Sequence, residues 1–303
     1  YSIYLFFSLF VSHPQKFFSI IKNISLHSKS FVNLLSRSCR VIPPLLDELD
    51  IFHIQWAKSL VHYPEFLEQQ SCTVILSLRG AHINYSPLCD NNLSLGYKKY
   101  FPLVDGFHAV SFAIAKESEK YFANPEKINV IYPAVKNDIT KIKPISQKNK
   151  SKRSFKIISV GRCHWKKGFT YALDTMVILK KQGFEYTYTI IASGSDNENI
   201  RYQISDLELD DSVCFINGLS HKKLINEVEQ SDLFVLPSVE EGISNSVLES
   251  MALGVPVVST DCGGMTEVID DGRNGYIVPV REPQDMAEKI IRYYNLDESK
   301  KSI

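Results

Sequence analysis

Short apolar runs alternate along the chain with stretches whose apolar positions recur every three or four residues. In the first half, 50–55 (DIFHIQ) and 73–78 (TVILSL) read as strands, 109–110 as a short strand, 111–122 as a helix and 128–132 as a further strand. In the second half the strand-like runs are 155–160, 186–191, 213–216, 233–236 and 255–259. Helical spacing covers 167–182, ending at Gly183, and then 221–230, 244–253, 265–269 and 283–294. Strand alternating with helix predicts an α/β fold of parallel sheets with right-handed crossovers. The polar, basic tract 141–153 (KIKPISQKNKSKR) reads as a solvated linker. It divides a Rossmann-like domain over 1–145 from a second over 154–303, each doubly wound, with a cleft expected between them.

The opening run 1–11 is apolar but shorter than the ~20 residues that cross a bilayer. It also lacks a basic leader and a small-residue cleavage site, so it is expected inside a buried element, followed by a helix over 14–38. At 303 residues, 44% hydrophobic and 22% charged, the chain is long enough for two cores. Lys plus Arg and Asp plus Glu are 34 each, so no net field gathers nucleic acid, and none is expected as a partner. Residues 1–150 carry 17 basic against 11 acidic side chains, and the remainder 17 against 23. Ordinary solvated surface accounts for this, and a basic front half also suits a peripheral membrane contact. Six cysteines without a C-x2-C pair encode neither a zinc site nor a redox dithiol, and point to reduced thiols in the cytoplasm.

Chemistry concentrates in the second half. In 237–254 (PSVEEGISNSVLESMALG) a strand end passes through an acidic turn into a helix opening at Ser244 or Asn245, both good N-caps. The free amides of Gly242, Ile243, Ser244 and Asn245, with the positive end of the helix dipole, would receive phosphate oxygens. Glu241 precedes the helix and Glu249 projects from it, an arrangement able to flank a ligand seated on the helix tip. Taken alone, the pair equally fits a capping residue and a solvated acid. In 160–168 (VGRCHWKKG), Gly161 follows a strand and allows close backbone approach, while Arg162 and Lys167 can converge on a diphosphate. Weaker candidates are Ser193 and Gly194 after one strand and Asn217, Gly218 and Leu219 after another, the latter bordering a flat base. Gly263, Gly264 and Glu267 read as turn and first-turn residues, and His164 as structural. In the first half Arg79, Gly80 and His82 follow the strand 73–78.

On these residues the second half resembles family 4 of the retaining glycosyltransferases, enzymes of the two-domain GT-B fold. The E-x7-E marker is matched by Glu241 and Glu249, and the VGR-x4-KG loop by Gly161, Arg162, Lys167 and Gly168. The G-x-P-V-V-x-T-x-x-G-G-x-x-E run is matched by Gly254, Pro256, Val257, Val258, Thr260, Gly263, Gly264 and Glu267. More loosely, 50–56 is similar to the family's D-x-x-H-x-H strand and 105–111 to its A-D-x-x-x-x-V-S element. Where the family has T-x-H-G-x-D, this chain has Arg79 at the position expected to touch the donor sugar. The resemblance implies a chain that begins inside the first domain and stops before the terminal helix.

It further implies a donor that is a UDP or GDP sugar and no resident cofactor or metal. The acceptor would be a glycan or lipid-linked molecule, in polysaccharide or glycolipid synthesis, in the cytoplasm or at the inner face of the membrane. Arg162, Lys167 and the helix start would hold the diphosphate, Glu249 the ribose and Glu241 the transferred sugar, with Gly161, Gly194, Asn217 and Leu248 completing the nucleotide site. The alternative is an inactive remnant that binds nucleotide sugar without turnover. A nicotinamide dehydrogenase is excluded because no G-x-G-x-x-G follows a strand.

Overall fold

The computed structural model describes residues 2–296, apart from 13, 27, 29, 47–48, 70–71, 143–153 and 196. The chain forms two compact units, 1–131 and 132–303. The division lies before the basic tract, most of which falls outside the described residues. Residues 132–142 belong with the second unit because Ile139, 1% exposed, is part of that unit's core.

The first unit opens with helices α1 (Ser2–Ser12), α2 (Pro14–Leu26) and α3 (Phe31–Leu46). The single helix expected over 14–38 is two, because Ser30 starts a new one by accepting the Asn33 amide at 3.2 Å. The expectation of a buried opening element is also corrected. Leu9 is buried, but Tyr4, Phe7, Phe10 and Val11 are exposed, since one helix in contact with two others covers only one of its faces. A uniformly apolar run does not reveal which face that is.

Strands β1 (Ile51–Ile54), β2 (Thr73–Leu78), β3 (Gly106–Ala109) and β4 (Ile128–Val130) then form a parallel sheet in sequential order. Helices α4 (Pro64–Gln69), α5 (Ala81–Asn84), α6 (Ser86–Cys89), α7 (Asn91–Tyr100) and α8 (Phe112–Ser118) connect them. Asp105 and Ser111 serve this scaffold. The Asp105 carboxylate accepts the Val74 amide at 2.8 Å, and Ser111 caps α8 through the Ile114 amide at 3.1 Å.

The second unit follows the short helix α9 (Asn137–Thr140) with β5 (Phe155–Arg162), α10 (Phe169–Lys181), β6 (Tyr186–Ser193), α11 (Glu198–Asp206) and β7 (Val213–Ile216). It continues with α12 (His221–Glu229), β8 (Leu233–Leu236), α13 (Asn245–Ala252), β9 (Val257–Thr260), β10 (Tyr276–Val278) and α14 (Pro283–Tyr294). The helix expected over 265–269 is only a 3-10 turn, Met265–Glu267. All strand pairs are parallel, in the order β7-β6-β5-β8-β9-β10. Along β8, Leu233 and Val235 enter one core cluster and Phe234 and Leu236 another. A strand covered on both faces reads as a continuous apolar run, as this one does.

Candidate functional site

The order of the second sheet reverses its direction of growth between β5 and β8. Doubly wound sheets hold ligands outside the carboxyl ends of the strands at such a switch point. Here those ends carry Gly161 and Arg162 on β5 and the turn from Pro237 on β8. In register, Gly161 lies opposite Ala192, Arg162 opposite Ser193, and Ile191 opposite Ile216. Gly194 and Asn217 therefore follow the neighbouring carboxyl ends on the same edge.

Three segments far apart in sequence interlock here. The Val239 amide donates to the Lys166 carbonyl at 2.7 Å, joining the β5 loop to the acidic turn. Gly168 has φ +64°, and a Cβ there would stand 1.9 Å from the Pro237 carbonyl oxygen. From the other side, Thr260 Oγ1 donates to the Ser238 carbonyl at 2.5 Å and the Gly264 amide to the Gly242 carbonyl at 2.8 Å. Gly263, at φ +56°, would place a Cβ 2.0 Å from the Glu241 carbonyl oxygen. Both glycines thus answer to backbone packed against them and not merely to a turn.

The side chains follow from this frame. Lys167 Nζ is ion-paired and hydrogen-bonded to Glu241 Oε1, which also accepts from Ser238 Oγ at 3.0 Å. Glu241 is only 6% exposed. A Cβ on Gly161 would meet Lys167 Cδ at 3.3 Å, so glycine leaves room for the lysine chain to pass. Arg162 is exposed. Burial pushes the Lys166 ammonium below the usual lysine range, Glu241 acts against that shift, and Lys167 and Arg162 add to it. Glu241, Lys167 and Arg162 are thus close enough for their charges to act on the Lys166 ammonium. Lys166, 6% exposed, was missed in the sequence, where it looks like a redundant neighbour of Lys167.

At the start of α13, Ser244 occupies the N-cap position, but its hydroxyl bonds Ser246 Oγ at 2.9 Å and caps no amide. That corrects the expected capping role. The Val247 and Leu248 amides return to the Ser244 carbonyl at 3.1 and 3.2 Å, while among the described residues the Asn245 and Ser246 amides have no acceptor. Glu249, half-buried one turn further on, is raised above the usual carboxylate range by burial, with His221 and Lys136 opposing. The two acids therefore differ: one is buried and ion-paired, the other half-buried with no side-chain hydrogen bond among the described residues. Gly242, Ile243 and Ser244 are buried, Leu248 is half-buried and Asn245 is exposed. Glu267 accepts from Tyr132 at 3.1 Å, and His164 Nδ1 faces the Lys166 amide at 3.4 Å in a supporting role. Arg79 and His82 belong to the first unit. Among the described residues no three His, Cys, Asp or Glu side chains gather as a metal-ligating group.

Solved structures share this architecture. Anabaena HepE, in complex with UDP, matches with a TM-score of 0.71 at 20% identity, over 86% of this chain and 72% of HepE. Two Rossmann-like parallel sheets with such neighbours define a GT-B fold. Residues 140–303, more than half of the chain, match the family described as glycosyl transferases group 1, and the chain belongs to that family. The amylovoran biosynthesis glycosyltransferase AmsK of Erwinia amylovora is 31% identical over 173 residues, 55% of this chain and 42% of AmsK. The putative colanic acid biosynthesis glycosyltransferase WcaL of Escherichia coli (strain K12) is 30% identical over 213 residues, 68% of this chain and 52% of WcaL. The chain spans about half the length of these relatives.

Proposed function

We propose that this protein transfers a sugar, with retention of anomeric configuration, from a UDP or GDP sugar to a glycan or lipid-linked acceptor in polysaccharide or glycolipid synthesis. The observation that carries the reading is the cluster of Arg162, Lys166 and Lys167 around the buried Glu241, beside the open amides of α13 at the switch point. Burying cations around one carboxylate is costly unless further negative charge arrives, and a diphosphate supplies it. The UDP bound by HepE and the polysaccharide pathways in the names of AmsK and WcaL agree with this reading.

Arg162 and Lys167 take the diphosphate together with the amides from Gly242 to Asn245. Glu249 accepts from the ribose hydroxyls. Gly161 and Gly194 allow close backbone approach, and Asn217 and Leu248 border the nucleoside. Glu241 orients the transferred sugar and favours positive charge at its anomeric carbon. The bond from that carbon to the diphosphate oxygen breaks as the acceptor oxygen bonds on the same face, and the acceptor proton passes to the departing phosphate. Preorganised cations and amides then meet charge as it grows on the leaving group, which supplies the largest catalytic contribution. No resident metal or organic cofactor enters this reading.

In this reading the reaction takes place in the cytoplasm, with a peripheral contact at the inner face of the membrane as an extension of it. Support comes from the first 46 residues, which hold five basic and no acidic side chains. Their helices leave Phe7, Phe18, Phe31 and Val32 exposed. No disulfide joins any of the six cysteines, all of which lie among the described residues. No helix among the described residues is long and apolar enough to cross a membrane.

Thermal denaturation with UDP, GDP, ADP and their glucose conjugates tests the donor, paired with a donor-hydrolysis assay. A bound donor at 100 times its Kd adds about 2.7 kcal/mol of stability. Stabilisation by a uridine or guanosine ligand with slow hydrolysis is expected. Stabilisation without turnover supports the remnant, and no stabilisation by any nucleotide removes the proposal. Co-sedimentation with phosphatidylglycerol vesicles but not phosphatidylcholine vesicles is expected of the membrane contact, and equal recovery with both removes it.

A further inference from the structure

We infer that Arg79 reads an oxyanion on a substrate, a carboxylate or a phosphate, at the carboxyl edge of the first unit's sheet. The inference deepens the glycosyl-transfer reading and rests on it for the identity of the substrates. β1 ends at Ile54 and β2 at Leu78, in register at Ile54 and Leu76, so Gln55, Trp56 and Arg79 leave adjacent carboxyl ends. Arg79 Nη2 donates to Gln55 Oε1 at 2.7 Å, and the guanidinium carbon lies 5.4 Å from the Trp56 ring centroid. The His82 ring lies 5.2 Å from the same indole. Arg79 is thus pinned by an amide and an aromatic ring, both neutral, which removes much of the rotamer entropy a binding arginine must otherwise lose.

Its charge is not compensated. Among the described residues no carboxylate lies within ion-pair distance of Arg79, and its buried Nε has no acceptor. Arg37, also in the first unit, is ion-paired to Glu65 at 2.7 Å. The polar layer nearby contains no carboxylate either. His53 Nε2 bonds Ser77 Oγ at 2.9 Å, Ser77 Oγ bonds His108 Nδ1 at 3.1 Å, and His108 Nε2 donates to the Ile131 carbonyl at 3.2 Å. Burial, then His108 and Arg79, push His53 below the usual histidine range, with no acid acting the other way. A fixed, partly desolvated guanidinium whose Nη1 is open to an acceptor matches the paired oxygens of a carboxylate or phosphate. The half-exposed Trp56 offers a face for a sugar ring beside it.

Calorimetry on this chain tests the inference with UDP, UDP-glucose and UDP-glucuronate, and with glucose and glucose 6-phosphate added with and without UDP. The wild type should bind at least one anionic probe about 10- to 100-fold more tightly than its neutral counterpart, the range of one charged hydrogen bond. Arg79→Gln should reduce that preference to within about threefold, and Arg79→Lys should retain part of it because the charge remains without the fork. UDP affinity and Tm should be unchanged in both variants. Preference for UDP-glucuronate assigns the anion to the donor, and preference for glucose 6-phosphate assigns it to the acceptor. Wild type without a charge preference, or a preference that survives Arg79→Gln, overturns the inference. Failure of UDP itself to bind strikes the glycosyl-transfer reading, while the glucose 6-phosphate arm still decides the role of Arg79.

Discussion

The carboxyl edges of the two sheets hold their cations by different means. In the second unit Lys167 is paired with a buried carboxylate, and the backbone around that pair is tied to two other loops by hydrogen bonds and by glycines with no room for a Cβ. In the first unit Arg79 is held by side-chain contacts, a hydrogen bond to a glutamine and a tryptophan ring. Backbone positions that frame a site cannot be altered without disturbing the fold, whereas a contact made by one side chain can be. Substitutions that separate stability from chemistry should therefore fall differently on the two edges.

The largest effects are expected at the glycines of the second edge. Gly168→Ala forces a left-handed alanine, about 1–2 kcal/mol, and drives its Cβ into the Pro237 carbonyl, adding ~1–3 kcal/mol of overpacking. Gly183 shares the left-handed conformation, at φ +72°, but nothing lies within 4 Å of its would-be Cβ. Gly183→Ala should incur the backbone cost alone. Thermal melts and UDP titrations of both variants check this: Gly168→Ala should lose nucleotide affinity along with Tm, and Gly183→Ala should keep it. Equal losses in the two would contradict the interlocked frame.

Next in size are the cations. Arg162→Ala and Lys167→Ala should each lower turnover by ~10²- to 10³-fold, the scale for removing a preorganised donor to a developing oxyanion. The variants should differ in the fold itself. Arg162 is exposed, so its loss should leave Tm unchanged, whereas Lys167→Ala leaves Glu241 buried without its cation and should lower Tm. Initial rates and melts on the same preparations separate the two consequences.

Much of this edge was legible in the sequence, because strong local patterns coincide with it. The runs at 73–78, 213–216 and 233–236 and the helix at 283–294 have the limits expected of them. Other elements left fainter marks. β10 has only three residues, and α11 buries just Ile200 and Ile204. α7 did carry a signal, with Asp90 as N-cap and Leu93, Tyr97 and Tyr100 at helical spacing, but its polar residues and Gly96 masked it. The two acids and the cations of the β5 loop stood out by spacing. What spacing cannot convey is tertiary: that Gly168 and Gly263 abut carbonyls of the acidic turn, that Lys166 is buried among charges, and that Lys167 reaches Glu241. The same applies to Arg79, where the sequence displays the arginine but not that its partners are a glutamine and a tryptophan.

The smallest effect expected is the most selective, because it concerns the acid that has no ion pair among the described residues. Burial raises Glu249, so the folded state retains its proton at a pH where the unfolded chain has released it. Stability at this residue is therefore lost as pH rises from the unfolded carboxylate value through the folded one, and the loss persists at neutral pH. Glu249→Gln removes the cost. The variant should melt slightly higher than wild type at pH 7, and the gap should close below about pH 4, where both states of the wild type are protonated. Glu241 is held by Lys167 and Ser238, so Glu241→Gln should instead lower Tm. Glu249→Gln should also weaken UDP binding by about 10- to 100-fold, the worth of a charged hydrogen bond to ribose. A carboxylate kept at some cost to the empty protein and recovered on binding is the signature of a ligand contact. Unchanged affinity with a raised Tm would instead make Glu249 a surface acid in an unfavourable place, leaving the ribose to another residue.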